Sequence, residues 1–252
     1  MSGSTSPNLQ LFVNRLTARS VLSDEERQAI LSLPTRASQV NANRDFVRIG
    51  ERVDHCCFIV DGMMGRFGQT TEGTRQITAL HLPGDVADLH SVVRPIGTSA
   101  IQALATTTVL RISHKDLRSV AARFPAVAEA FWRDCMVDAA VLSQWVVNVG
   151  RRDAKTRMAH LLCEMSVRTG DGRTPLLNYP FPATQAHLGD MTGLTSVHVN
   201  RMLKTLRTDG LVTVRAREVH IHNWNQLEAL GEFDADYLDA DTTPEARRRL
   251  LN

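Results

Sequence analysis

Beyond Pro125 the chain runs to Val149 without another proline or glycine. Over that stretch apolar Val127, Phe131, Cys135, Val137 (or Asp138), Val141 (or Leu142), Trp145 and Val149 recur at spacings of three or four. The period predicts a helix of about seven turns with an apolar stripe. One small β domain covers less than such a stripe, so the stripe is read as the seam of a homodimer. Packing on the chain's own sheet is the other reading. A rod of this kind divides the chain into an N-terminal and a C-terminal part.

The N-terminal part has β texture. After a Ser/Gly-containing start read as frayed, Ser23-Asp24-Glu25-Glu26 forms a capping-box pattern ahead of Ile30, Leu31 and Leu33, which predicts a short helix ending near Pro34. Short β-branched and apolar runs come next at 46–49, 56–60, 77–82, 101–104 and 107–112, separated by Gly50-Glu51, Asp61-Gly62, Glu72-Gly73 and Pro83-Gly84-Asp85. Strands at this spacing predict an antiparallel sandwich or barrel. Alternation along 56–60 points the adjacent Cys56 and Cys57 to opposite faces, where they are read as packing residues. Ser113 opens a helix, and Pro125 opens the next.

At 252 residues and 43% hydrophobic, the chain has enough apolar matter for two domains. No apolar run reaches membrane-spanning length and the N-terminus lacks a leader pattern, so a soluble, cytoplasmic protein without a membrane partner is expected. Cys56, Cys57, Cys135 and Cys163 have no C-x-x-C or metal-ligand rhythm, which predicts free thiols, no metal site and no cofactor. The formal charge of +2 is unevenly spread, with +1 over 1–150, +5 over 151–223 and −4 over 224–252. A basic block between neutral and acidic segments suits a polyanion.

The residues of that block specify the polyanion. Phe181 to Leu206 reads as two short helices broken at Gly193, with Thr195 as the second N-cap. Ala186, Leu188 and Met191 are predicted to face inward from the first helix, and Val199, Met202 (or Leu203) and Leu206 from the second. The free face of the second helix then carries Ser196, Val197, Asn200, Arg201 and Lys204, with no carboxylate. Arg201 suits guanine O6 and N7, Asn200 an adenine or a phosphate, and Val197 a thymine methyl. Lys204, Thr184, Gln185 and the helix ends suit phosphates. Asp209-Gly210 stops the second helix, and 212–221 predicts a hairpin whose tip offers Arg215 and Arg217 to phosphates. His220 and His222, alternating on that hairpin, are read as surface residues.

Thr184-Gln185-x-x-Leu188-Gly189, Leu194-Thr195-Ser196-Val197-His198-Val199-Asn200-Arg201-Met202-Leu203 and Leu206-x-x-x-Gly210-Leu211 resemble the Crp/Fnr regulators over roughly residues 9 to 230. Gly50-Glu51, Phe58-Ile59-Val60-Asp61-Gly62 and Pro83-Gly84-Asp85 extend the resemblance into the β segment. It implies an α+β fold with an N-terminal antiparallel, jelly-roll-like β-roll, a long dimerisation helix and a C-terminal winged helix-turn-helix. It also implies DNA contacts from Thr184, Gln185, Thr195, Ser196, Val197, His198, Asn200, Arg201, Lys204, Arg215 and Arg217, and an effector region around Gly84, Asp85, Leu89, Thr98 and Ser99.

Two departures bear on the effector. Where cyclic-AMP-responsive members carry a ribose-binding glutamate and a phosphate-binding Arg-Ser pair, this sequence has Leu89 and Thr98-Ser99, which predicts a different effector. No cysteine precedes Cys56, so the iron-sulfur cluster of the oxygen-sensing members is not expected. Val197 replaces the glutamate of the best-known recognition helices while Arg201 is kept, which predicts an operator with a guanine in each half-site and a non-standard consensus.

The expected organisation is an N-terminal segment (1–22), a sensor domain (23–124), a dimerisation helix (125–150), a winged helix-turn-helix (151–230) and a tail (231–252). The expected function is a homodimeric transcriptional regulator of a palindromic double-stranded operator, modulated at the β-roll by a small-molecule effector, with room for RNA polymerase as a further partner. An effector-binding module whose winged helix contacts proteins is the alternative. With no phosphate loop followed by Lys, no nucleophile elbow and no H-E-x-x-H, enzyme activity is not expected.

Overall fold

The computed structural model describes residues 9–170, 172–238, 243, 245 and 247–250. The chain forms two compact units: residues 1–66, 80–139 and 239–252 make the first, and residues 67–79 and 140–238 the second. No helix among the described residues is long and apolar enough to cross a membrane.

The first unit opens with α1 (Leu9–Arg19) and α2 (Asp24–Leu31). The Ser23 side chain accepts from Glu26 N and the Glu26 carboxylate accepts from Ser23 N, so the predicted capping box forms. Seven strands come next: β1 (Thr35–Val40), β2 (Asp45–Val47), β3 (His55–Asp61), β4 (Met64–Gln69), β5 (Arg75–His81), β6 (Ala100–Ala103) and β7 (Thr107–Ser113). They make two sheets, ordered β1-β7-β3 and β2-β6-β4-β5, and α3 (His114–Arg123) and α4 (Pro125–Arg151) come after them. The tip of the β4–β5 hairpin falls in the second unit.

Alternation along β3 organises two cores. Cys56 and Phe58 join Phe12, Leu16, Ile30, Leu117, Val127 and Phe131 in the core under the helices, whereas Cys57 and Ile59 join Val47, Met64, Ile101, Ala103 and Val109 in the other. β3 is thus apolar on both faces because both faces are covered. All four cysteines are free, and burial pushes the Cys56 and Cys57 thiols well above their ordinary range.

Helix α1 and strands β1 and β4 escaped the sequence reading of this unit. Helix α1 buries Leu9, Phe12, Val13 and Leu16, so order begins well before the capping box. Strand β1 is a polar edge strand with Arg36, Ala37 and Gln39 exposed. Helix α1 also carries charge inward. Arg15 reaches Asp134 at 2.6 Å, Asp85 at 2.5 Å and Asp138 at 3.6 Å, and Arg19 adds a 3.2 Å contact to Asp134, whose side chain is only 2% exposed.

The apolar stripe of α4 requires a correction. Val127, Phe131, Val137, Val141 and Trp145 are buried within their own chain, which is the packing reading and not the seam. A second stripe, Trp132, Met136, Leu142, Val146 and Val147, faces outward, with Trp132 60% and Met136 69% exposed. The helix is apolar on two sides, and the outer one stays uncovered by the described residues.

The second unit is built on α5 (Ala154–Thr169), capped by Asp153, which accepts from Lys155 N and Thr156 N. Then come β8 (Asn178–Pro180), α6 (Gln185–Thr192), α7 (Ser196–Thr208), β9 (Val212–Arg215), β10 (Glu218–Ile221) and α8 (Trp224–Gly231). The strands form an antiparallel sheet ordered β8-β10-β9. Met158, Leu161, Leu162 and Met165 of α5 share the buried set with Tyr179, Phe181, Leu188, Met191, Val199 and Leu206. Glu164, fully buried, is satisfied by Trp145 Nε1 at 2.9 Å, Arg168 Nη1 at 2.8 Å and the Tyr237 hydroxyl at 2.8 Å. Three donors around one carboxylate fix the end of α4 to α5 and to the short 3-10 helix Ala235–Leu238.

Candidate nucleic-acid interface and sensor recess

The two helices before the wing are set by their ends. Thr184 caps α6, accepting from His187 N at 3.1 Å, while His187 Nδ1 accepts from Thr184 N at 3.3 Å. Gly193 closes α6 in the left-handed region at φ 66°, and Thr195 restarts the chain as the α7 cap, accepting from His198 N at 3.3 Å. A Cβ on Gly189 would stand 2.5 Å from Leu194 O, so only glycine lets the turn close this tightly. Arg157 Nη1 donates to Thr192 O at 3.0 Å and pins the turn to α5.

With α7 anchored inward by Val199 and Leu206, the opposite face is open. Ser196, Val197, Asn200, Arg201 and Lys204 are exposed, Val197 at 82%. Thr184, Gln185 and Thr195 are exposed at the helix starts, and His198 is half-buried. Ala186 departs from expectation: it is exposed, and His187 takes the inward place beside Leu188. The wing is the β9–β10 hairpin, turned by Ala216 and Arg217 at φ 52° and 66°, a two-residue turn with both centres left-handed. Arg215 and Arg217 are exposed, and Phe181 N donates to Arg217 O at 2.7 Å. All eleven residues expected to contact DNA thus lie on α6, α7, their caps and the wing.

The five residues expected at the effector region do not share one site. Gly84 makes a turn at φ 98°, and the Asp85 carboxylate turns to Arg15 and to Leu82 N. Leu89 lies in the helix-side core. Only Thr98 and Ser99 line a recess of the first unit, together with Val47, Val53, Ile96 and Ile101 and with Arg66, Asp88, His90 and Ser91, which sequence reasoning missed. It leaves about 10 Å³ for the centre of a water molecule, room for about one. Arg66 donates to Ala87 O at 2.5 Å. Asp88, 3% exposed, accepts from Cys57 N at 2.7 Å through Oδ1, while Oδ2 has no hydrogen-bond partner among the described residues. Burial pushes the Asp88 carboxyl up to about 6, against the hydrogen bond from Cys57 and the positive charge of Arg66.

A capped helix pair with an open polar face, a basic-tipped wing and a separate β-roll define a winged helix-turn-helix DNA-binding regulator with a sensor module. Residues 156–230 match the family model described as a Crp-like helix-turn-helix domain, and residues 38–124 match the cyclic nucleotide-binding domain. The chain is 21% identical over 215 residues to the regulatory protein HlyX of Actinobacillus pleuropneumoniae, covering 85% of this chain and 90% of that one. It is 20% identical over 218 residues to the fumarate and nitrate reduction regulatory protein of Escherichia coli strain K12, covering 86% and 87%. Among solved structures, FixK2 from Bradyrhizobium japonicum superposes with a TM-score of 0.72 at 27% identity, covering 79% of this chain and 98% of that one. The chain belongs to the Crp/Fnr family of transcriptional regulators, which bind operator DNA as homodimers, contact RNA polymerase and are not enzymes.

Proposed function

We propose that α7 lies in the major groove and reads its half-site with Arg201 on guanine O6 and N7, Val197 on a thymine methyl, and Asn200 on an adenine or a phosphate. Lys204, Thr184, Gln185, Thr195, Ser196 and His198 surround these contacts and position the helix on the backbone, and Arg215 and Arg217 of the wing grip flanking phosphates. The carrying observation is the exposed α7 face, which offers a guanidinium, an amide and an apolar group without a carboxylate among them. In the dimer two such helices meet successive grooves about 34 Å apart, on a palindrome with a guanine in each half. The outward stripe of α4 supports the dimer seam.

We assign the effector to a class other than cyclic nucleotides. Leu89 in the core offers no acceptor to a ribose, the Asp88 carboxylate faces the recess where a cyclic phosphate would bring a second negative charge, and the space fits about one water. We assign the protein to the cytoplasm, a reading supported by four unbridged cysteines.

The test is selection of bound duplexes from random DNA by the purified protein, repeated with Val197→Glu. A palindrome with a guanine in each half, whose preference changes at one base pair in the variant, is the expected result. An unchanged preference in the variant overturns the docking.

A further inference from the structure

The basic run Arg247-Arg248-Arg249 lies outside the winged helix and plays no part in the proposed DNA contacts. Its described residues belong to the first unit, seated where α1 ends, α2 begins and α4 passes. Helix α1 leaves its last carbonyls without intrahelical partners, and a helix C-terminus carries partial negative charge. Guanidiniums collect there. Arg247 Nη1 donates to Thr17 O at 3.4 Å, Arg249 Nε to Val21 O at 3.0 Å, and Arg133 Nη1 of α4 to Arg19 O at 2.9 Å.

Carboxylates complete the seat. Arg249 Nη2 donates to Glu26 Oε2 at 2.6 Å, on the carboxylate that also closes the α2 capping box. Leu250 N donates to Glu129 Oε2 at 2.9 Å while Arg133 holds Glu129 Oε1 at 2.8 Å, and Arg133 Nη2 also donates to Arg248 O at 2.7 Å. The Leu250 side chain is exposed, so the segment is read by guanidinium and backbone and has no apolar anchor.

We infer that this surface is a recognition site for the chain's own basic C-terminal segment, and that Arg247 to Leu250 form a detachable strap on the sensor unit. The strap comes after the DNA-binding unit in the chain, so its docking closes the polypeptide into a loop that runs from the sensor unit through α4 and the winged helix and back. A half-exposed guanidinium pair is a weak bond, comparable to the entropy of fixing a few residues, so the strap is poised between docked and free. Release frees the guanidiniums of Arg247 and Arg249 and opens the loop.

Hydrogen exchange on the full-length dimer tests the assignment. Docking slows exchange across 247–250 by about fivefold or more relative to an unstructured peptide of that sequence. Arg249→Ala removes two of the contacts, and Glu26→Gln removes the charge while keeping an acceptor for Ser23 N. Both are expected to return the segment to the unstructured rate, with exchange in α5 to α7 unchanged. Wild-type exchange at the unstructured rate, or protection that persists in Arg249→Ala, overturns the proposal.

Discussion

Asp88→Asn isolates one buried charge. In the unfolded chain an aspartate titrates near about 3.9, whereas in the folded chain Asp88 is pushed up to about 6 by burial. The folded state therefore holds this proton more tightly. For this group, stability is greatest below about pH 4, declines as the pH rises toward 6, and stays at the lower level above it. The gap corresponds to about 3 kcal/mol. Asparagine keeps an acceptor for Cys57 N and never ionises. It leaves an N–H toward the recess, much as the protonated acid leaves an O–H, and that cost is the same at every pH. Urea unfolding of both proteins at pH 4 and pH 7.5 is the assay. The stability of the variant relative to wild type should rise by about 2–3 kcal/mol between the two pH values. A flat difference would show that Asp88 titrates alike in the folded and unfolded chains, a variant that loses ground at pH 7.5 would show that the fold favours the ionised carboxylate, and either result would refute the reasoning.

Arg201→Ala is expected to cost about 1–3 kcal/mol on the selected operator and less on random duplex, measured by fluorescence anisotropy. Gly189→Ala drives a methyl into Leu194 O and should destabilise the DNA-binding unit by about 1–3 kcal/mol, read as an earlier thermal transition with weakened operator binding. Arg15→Ala strips Asp134, Asp85 and Asp138 of their shared cation, for a loss of about 3–5 kcal/mol. Urea melts of the variant and the wild type check the loss. Met136→Arg on the outward stripe of α4 should shift the protein toward monomer in analytical ultracentrifugation while leaving its helical circular dichroism unchanged.

The DNA-reading half was legible because its determinants are local. Thr184, Gly193, Thr195 and Gly210 mark helix ends within a few residues, and the positions of Val199 and Leu206 say which way α7 faces. Ala186 was misplaced because a small apolar residue fits either side of a cap, and the box closed by His187 decides the rotation. The recess was not legible, since Val47, Arg66, Asp88 and Ser99 come together only through strand pairing across long separations. Strand β4 holds Gly65 and Gly68, and glycine weakens a strand signal. Helix α1 carried a helical period in Leu9, Phe12, Val13 and Leu16 behind a cap-type Asn8, but the Ser/Gly-containing start led the segment to be read as frayed. Helix α4 shows the limit of periodicity: two apolar stripes were present, and spacing alone does not say which one the chain keeps for itself.

Val197 has a consequence for selectivity under changing ionic strength. In the proposed docking the cationic rim of Lys204, Arg215 and Arg217 gains its affinity by releasing counterions, and that gain fades as salt rises, equally on every sequence. An isopropyl group against a thymine methyl releases none, and its contribution survives. A regulator built this way loses affinity for random DNA and for its operator by the same factor as the medium concentrates, so discrimination persists while overall occupancy falls.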